Sequence, residues 1–197
     1  IKNLNPGQGC EAFITNIKGR VLGHVFVFVE ENAIWLETVP HAAGPLLQHL
    51  GKYVLADDVE LHDRSTEYGE LFVSGPKASE KLNSLISDAT SFGQHGHCMM
   101  TWNEISIVCR RIDFLNEPGF LLSIARDHLG DLWRLLCETT KPAGADVFQT
   151  LRIESGFPLY GIDISEDNLA QEVGRTKQAI SFAKGGYRPE FCSRRCS

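Results

Sequence analysis

Short runs of β-forming residues, each closed by a tight turn, constrain this fold more than any other feature of the sequence. Arg20 to Val29 is rich in valine and phenylalanine, and the hairpin signal Asn16-Ile17-Lys18-Gly19 comes directly before it. Glu30-Glu31-Asn32 closes the run, and Ala33 to Thr38 leads back. Strands joined by loops this short must pair antiparallel. Together with Cys10 to Thr15, these runs predict an antiparallel meander.

Single helices interrupt the strand runs. The first is predicted over Pro40 to Lys52, and its apolar stripe is Leu46, Leu47, Leu50 and Tyr53. A short strand over Val59 to His62 is then expected to end a first unit near Arg64.

A second unit follows with a similar order of elements. Its predicted strands are Tyr68 to Val73, Cys98 to Trp102, Ile105 to Ile112 and Gly119 to Ala125. Its predicted helices are Lys77 to Ile86 and one that is capped by Asp127 and runs to about Thr140. The two halves are typical of an α+β fold with two split-βαβ-like lobes, each an antiparallel sheet with helices on one face. We expect lobes at 1–64 and 65–197.

Composition sets limits on the function. The chain has 197 residues, is 43% hydrophobic and carries a net charge of −6, which argues against a nucleic-acid-binding surface. No apolar run approaches the ~20 residues that a membrane-spanning helix needs. The opening Ile1-Lys2-Asn3 is typical of mid-domain sequence, so we expect an N-terminal truncation.

The six cysteines form no C-x-x-C pair. Four of them are scattered in apolar or strand-like contexts, which favours buried free thiols in a reducing compartment: Cys10, Cys98, Cys109 and Cys137. Cys192 and Cys196 lie in a basic tail, where a redox or metal pair is possible but a frayed terminus is the simpler interpretation. We therefore expect a cytoplasmic protein, or one of an organellar matrix.

Two short motifs allow a site but have simpler interpretations. His95 and His97 alternate with glycine in Gln94-His95-Gly96-His97-Cys98, which permits a metal site but is better explained as a polar loop entering a strand. Ser74-Gly75-Pro76 precedes a helix and is able either to bind an anion or simply to cap the helix. The sequence contains neither a P-loop nor a G-x-G-x-x-G motif.

The stretch from residue 151 to 187 carries the most functional groups. A helix is predicted over Asp146 to Ile153, and its spacing places Glu154 on the apolar side with Val147 and Leu151. A carboxylate on a buried face needs a partner, and Arg152 is expected to point elsewhere. A ligand edge with N–H donors, such as a pterin or a purine, is one such partner, and a group within the protein is the other.

The motif LRIESGFPLYGIDISEDNLAQEVG, followed by AISFAKGGY, resembles the signature of the folate-binding YgfZ family. These proteins are related to the aminomethyltransferase (T-protein) of the glycine cleavage system. The segments LNPGQGCEAFITNIKGRVLGHVFVF and LGKYVLADDVELHD are similar to earlier parts of the same family, in the same order. The resemblance implies two α+β lobes of a three-lobed fold around a folate site, without the C-terminal β-barrel.

The resemblance also implies site residues and a cofactor. Glu154 matches a glutamate that contacts the pterin, and Tyr160 matches another pocket residue. Lys184 and Tyr187 belong to a loop that crosses the pocket. The expected cofactor is tetrahydrofolate, and no residue is assigned a catalytic or metal-binding role.

Two departures from the family pattern bear on activity. Gly23 and His24 stand where the T-protein has an acidic pair that supports aminomethyl transfer, and Gly186 replaces the loop cysteine of YgfZ proteins. We therefore expect a folate-binding accessory protein without transferase activity, acting in iron–sulfur cluster assembly or repair with client or assembly proteins as partners. A folate-dependent aminomethyltransferase and a degenerate interaction protein remain open as alternatives.

Overall fold

The computed structural model describes residues 3–54, 58–86, 92–113 and 115–182. Its strands are β1 (Gly9–Thr15), β2 (Val21–Val29), β3 (Ile34–Glu37), β4 (Tyr68–Ser74), β5 (His97–Trp102), β6 (Ile105–Arg111) and β7 (Gly119–Ala125). Its α-helices are α1 (Pro40–Gly51), α2 (Ala78–Leu85), α3 (Leu129–Cys137), α4 (Ala145–Glu154) and α5 (Thr176–Ala179). Short 3-10 turns span Arg126–His128 and Ala170–Val173.

Two antiparallel sheets form the framework, as the turn spacing predicts. The first sheet has the order β1-β2-β3, and the second has the order β4-β7-β6-β5. Helix α1 packs on one face of the first sheet through Ala42 and Leu46. Helices α2 and α3 cover one face of the second sheet through Leu82, Leu132 and Leu136. The predicted α+β class with antiparallel sheets is therefore confirmed.

The two sheets pack against each other through their remaining faces. Phe26 and Phe28 of β2 share a core cluster with Ile112 and Phe157. After α4 the chain returns to the first sheet, where the backbone N–H of Val21 donates to the carbonyl of Asn168. Segments far apart in sequence therefore meet beside β1 and β2. The division into lobes at residue 64 stays a prediction.

Three local predictions are wrong. Residues 59–62 form no strand. Asp127 does not cap α3, which begins at Leu129 after a 3-10 turn whose N–H groups receive no side-chain cap. Ser74 does not cap α2 either, because its hydroxyl donates to the carbonyl of Pro118 at 3.2 Å. For Ser74, a tertiary contact takes the polar group that the local pattern assigned to the helix.

Among the described residues, no helix is long and apolar enough to cross a bilayer.

Candidate functional site

A buried carboxylate lies on the face of the first sheet that packs against the second. Glu11 of β1 is only 3% exposed, and it lies opposite Phe26 in the pairing with β2. Its Oε1 is 2.8 Å from Nε2 of His24, which is also buried. A buried charge is costly unless it is paired and hydrogen-bonded, so Glu11 needs more than one neutral partner.

Arg175, which directly precedes α5, supplies the countercharge. Its Nε donates to Oε1 of Glu11 at 2.8 Å, and its Nη2 donates to Oε2 at 2.5 Å. This two-pronged geometry is the strong form of an arginine–carboxylate pair. Burial by itself raises the pKa of Glu11, but the hydrogen bonds from Arg175 and His24 outweigh it and lower that pKa to about 2. Glu11 is therefore a carboxylate at neutral pH.

Aromatic rings enclose this ion pair. His24 stacks on Phe157 with ring centroids 5.5 Å apart, and Arg175 lies over the same phenylalanine at 5.2 Å. Phe26 contacts both His24 and His95, at 5.8 and 5.7 Å. Burial lowers the pKa of His95, which favours its neutral form. We call Glu11, His24, His95, Phe157 and Arg175 the Glu11 cluster.

At the position that precedes His24, a side chain would have to displace Leu46. A Cβ atom on Gly23 would lie 2.6 Å from Cδ1 of Leu46 on α1. The side of β2 that carries Gly23 faces α1, whereas the side that carries His24 faces the second sheet. The structure therefore provides a carboxylate in this region through Glu11 and not through residue 23.

Arg152, not Glu154, is the buried polar residue of α4, so the predicted burial of Glu154 is wrong. Glu154 is the last residue of the helix and is exposed. Val147 and Leu151 on the same stripe are also largely exposed, at 49% and 42%. The inward face instead carries Phe148, which meets Phe72 at 6.3 Å, and Arg152. Periodicity alone cannot identify this face because α4 has apolar residues on both sides.

The guanidinium of Arg152 holds the turn that follows α4. Its Nη1 donates to Oδ2 of Asp163 at 2.6 Å and to the carbonyl of Phe157 at 3.2 Å. The same Oδ2 atom accepts the backbone N–H of Leu159 at 2.8 Å. We call Arg152 and Asp163 the turn clamp. The clamp fixes both the ring of Phe157 in the Glu11 cluster and the backbone that leads to Tyr160.

Tyr160 is half-buried and leans on α1. Its ring stacks on His41 at 6.0 Å, and burial raises its pKa, with a further contribution from Glu166. Gly161 follows in a left-handed conformation, and a Cβ atom there would lie 2.3 Å from Nε2 of His41. Only glycine satisfies both conditions, which explains the Tyr-Gly pair of the motif.

The predicted site residues occupy different surroundings. Glu154 lies exposed at the end of α4, Tyr160 packs against α1, and Lys184 and Tyr187 lie outside the described residues. The roles that the resemblance gives these four residues stay predictions. Gly186, Cys192 and Cys196 also lie outside the described residues.

The sequence pattern missed Glu11 and Arg175. The only local signal was a charged residue inside the otherwise apolar strand Gly9–Thr15. Its partner lies 164 residues away, so no spacing rule was able to connect them. His95 and His97 are confirmed as a loop residue and the first residue of β5. Within the described part of the chain, no three His, Cys, Asp or Glu side chains group as metal ligands.

Comparison with known proteins identifies relatives over nearly the whole chain. Residues 1–184 match the family model described as the GCVT N-terminal domain. An aminomethyltransferase of Caldanaerobacter subterraneus subsp. tengcongensis is 29% identical over 199 aligned residues, covering 95% of this chain and 52% of that protein. The aminomethyltransferase of Thermoanaerobacter pseudethanolicus is 32% identical, covering 95% of this chain and 53% of its own.

A solved structure shows the same fold. The glycine cleavage system aminomethyltransferase T from Bartonella henselae superposes with a TM-score of 0.73 over 90% of this chain and 52% of that chain, at 18% sequence identity. The chain thus spans about half the length of the curated relatives and of the solved structure that it matches.

Proposed function

The chain belongs to the GCVT N-terminal domain family, and we propose that it binds tetrahydrofolate beside the turn clamp, with Glu154 as the contact to the pterin ring. The observation that supports this proposal is an exposed carboxylate directly before a turn whose backbone is held by hydrogen bonds. Arg152 and Asp163 hold the turn, and Glu154 stands free of the core at the helix end directly before it. A carboxylate accepts hydrogen bonds only, which suits the adjacent N–H donors of a pterin edge.

The fit extends to the surroundings of the proposed contact. Tyr160 offers a half-buried ring and hydroxyl at the far end of the same turn. Lys184 and Tyr187 complete the set that the family resemblance assigns, with the lysine as a counterion for an anionic folate tail. When bound, the folate would supply the one-carbon-accepting nitrogen atoms, and the residues of this chain would orient it.

We propose aminomethyl transfer to tetrahydrofolate as the leading activity. Its support is that the relatives described above are aminomethyltransferases and that the Glu11 cluster keeps an ionised, buried carboxylate close to where the family has its acidic pair.

A second candidate is the non-catalytic role, a YgfZ-type accessory protein for iron–sulfur cluster assembly or repair. One specific observation favours it. The carboxylate of Glu11 is already neutralised by Arg175, and an aspartate at position 23 would collide with Leu46. Such a site would hold folate without turning it over, and the iron–sulfur client proteins would be its partners.

Calorimetric titration with tetrahydrofolate tests the binding proposal. The wild-type chain is expected to show saturable binding, and Glu154→Gln is expected to weaken it at least tenfold, because the amide replaces one acceptor with a donor. Glu80→Gln on α2 is the matched control, since it removes an exposed glutamate from another helix. Absence of binding by folded wild-type protein contradicts the proposal outright.

A glycine-cleavage assay then separates the two candidate functions. The chain replaces the aminomethyltransferase component, and folate-dependent turnover is measured. Turnover that falls in Glu11→Gln supports the transferase. Tight folate binding without any turnover supports the accessory role.

A further inference from the structure

Two cysteines lie directly opposite each other on neighbouring strands of the second sheet. Cys98 of β5 pairs with Cys109 of β6 in the antiparallel register. A two-residue turn at Asn103 and Glu104 joins the strands, and both residues are left-handed, with φ values of 48° and 66°. This turn type fixes the register of a hairpin, so the two cysteines are held opposite each other.

Both side chains lie on the same face of the sheet. Cys109 is fully buried in the core beneath α2 and α3, and Cys98 packs against that same cluster from a half-buried position. Directly opposed residues of an antiparallel pair have Cα atoms about 4.5–5.5 Å apart. A disulfide needs Cα atoms about 4.4–6.8 Å apart, so the Cα separation expected for this pair suits a disulfide.

We propose that Cys98 and Cys109 are an oxidation site, a dithiol that converts to a cross-strand disulfide when it meets a small disulfide oxidant such as oxidised glutathione. This inference concerns the face of the second sheet that α2 and α3 cover, and it does not rest on folate binding.

The two thiols have different parts in the reaction. Cys98 is partly accessible, so its thiolate attacks the oxidant, forms a mixed disulfide and releases one small thiol. Burial raises the pKa of Cys109, so this thiol stays protonated during the first step. In the second step it loses its proton and attacks the sulfur of Cys98. This second step releases the other small thiol. Two protein thiols are oxidised by two electrons, one oxidant disulfide is reduced, and the two protons end on the released thiols.

The bond would secure the strand that links the two sheets. β5 is an edge strand, and the backbone N–H of His97 at its start donates to the carbonyl of Gly7 at 3.1 Å. The ring of His97 also meets Phe28 of β2 edge-on at 5.4 Å. A disulfide at Cys98, next to His97, would therefore link the edge strand β5 covalently to β6. It would also hold in place the contact that His97 makes with the first sheet.

Peptide mapping of the full chain tests the proposal. The protein is incubated with oxidised glutathione at mildly alkaline pH, its remaining thiols are alkylated, and it is digested without reduction. Trypsin leaves both cysteines in one peptide between Lys81 and Arg110, and a second protease that cuts after Glu104 separates them. We expect peptides 82–104 and 105–110 to stay linked at a mass two hydrogens below their sum, and to separate on reduction.

Two variants make the result decisive. Cys98→Ser removes the attacking thiol. In this variant we expect Cys109 to stay reduced and to become alkylated only after the protein is unfolded. Cys137→Ser on α3 is the matched control and is expected to leave the linked peptide unchanged. Glutathione that stays on Cys98 in the wild-type chain, with no link to Cys109, overturns the proposal. Disulfide-linked peptides that contain only other pairs of cysteines would also overturn the proposal.

Discussion

At the scale of single residues, Glu11 keeps its charge although its side chain is almost completely buried. Two N–H groups of Arg175 and one ring nitrogen of His24 contact the carboxylate. Such a pair adds little net stability compared with apolar residues, but losing one partner leaves a buried charge without compensation. The cluster is therefore most sensitive to removal of a single member.

We expect Arg175→Met to lower the free energy of unfolding by about 3–5 kcal/mol, because Glu11 is then left buried with only His24. Arg134→Met is the matched control, since Arg134 is 79% exposed in its ion pair with Asp131 and should lose less than about 1 kcal/mol. Urea unfolding measures both variants. Equal small losses in the two variants would show that the Glu11 pair is not the buried charge pair described above.

Glu11 also predicts a dependence of stability on acid. Its pKa is about 2 in the folded chain and near 4.5 when it is exposed, so its stabilising contribution is complete above pH 4.5 and is lost as the pH falls toward 2. Glu11→Gln should flatten this part of the curve of unfolding free energy against pH. An unchanged slope in the variant would contradict the assignment.

At the scale of secondary-structure elements, the packing of α1 against β2 explains why position 23 is a glycine. Gly23 lets α1 approach β2 closely, with Leu46 filling the space above it. The turn clamp has the equivalent role between α4 and residues 157–163. Element packing therefore explains two sequence features that composition leaves open, the glycine at position 23 and the arginine at position 152.

Gly23→Ala should destabilise the chain by about 1–3 kcal/mol, because the new methyl group collides with Leu46. Combining it with Leu46→Ala should cost less than the sum of the two single changes, since the methyl group then occupies vacated space. The matched control is Gly44→Ala on α1, where nothing lies within 4 Å, and it should gain about 0.5–1 kcal/mol. Thermal and urea unfolding give all four values, and strict additivity would refute the packing argument.

Asp163→Asn should cost about 1–3 kcal/mol, because it leaves the charge of Arg152 buried with neutral partners only. It should also weaken tetrahydrofolate binding, although Asp163 is not proposed to touch the ligand, because the turn between Glu154 and Tyr160 loosens. Urea unfolding and calorimetry separate the two effects. Unaltered affinity in a destabilised variant would remove the clamp from the binding proposal.

At the scale of the whole molecule, the buried cation of Arg110 joins the two sheets. Arg110 of β6 is 1% exposed, and its Nη1 is 3.0 Å from Glu37 of β3 and 3.7 Å from Glu70 of β4. Ser123 of β7 bridges the arginine and Glu70, with both of its hydrogen bonds at 2.5 Å. The ring of Trp35 lies 5.5 Å from the guanidinium carbon. One cation thus faces two carboxylates.

Burial, opposed by Arg110 and reinforced by Glu70, raises the pKa of Glu37 to about 7. At Glu37 the folded chain therefore binds more protons than the unfolded chain between about pH 4.5 and 7, so the contribution of this residue to stability falls as the pH rises through this window. Glu37→Gln should remove much of this fall and be more stable than wild type at pH 8. Urea unfolding between pH 4.5 and 8 measures the free energy of unfolding of both chains. A variant whose unfolding free energy changes with pH as steeply as that of the wild type would contradict this prediction.

The sequence by itself determined the α+β class, the seven strands and the approximate positions of α1 to α4, because strand alternation, turn residues and apolar stripes act over a few neighbouring residues. It did not predict α5, and it predicted a strand over residues 59–62 that the structure does not have. It also pointed to the stretch after residue 151. It failed at Glu154, since period and composition cannot tell which face of α4 meets the core.

Only the tertiary structure decided which charged residues are buried together. Arg175 reaches Glu11 across 164 residues, Arg110 meets Glu37 across the interface between the sheets, and Leu46 closes the space above Gly23. Each of these contacts depends on how elements pack, and the energy of a buried charge depends on the partners that packing supplies. No local pattern in the chain contains that information.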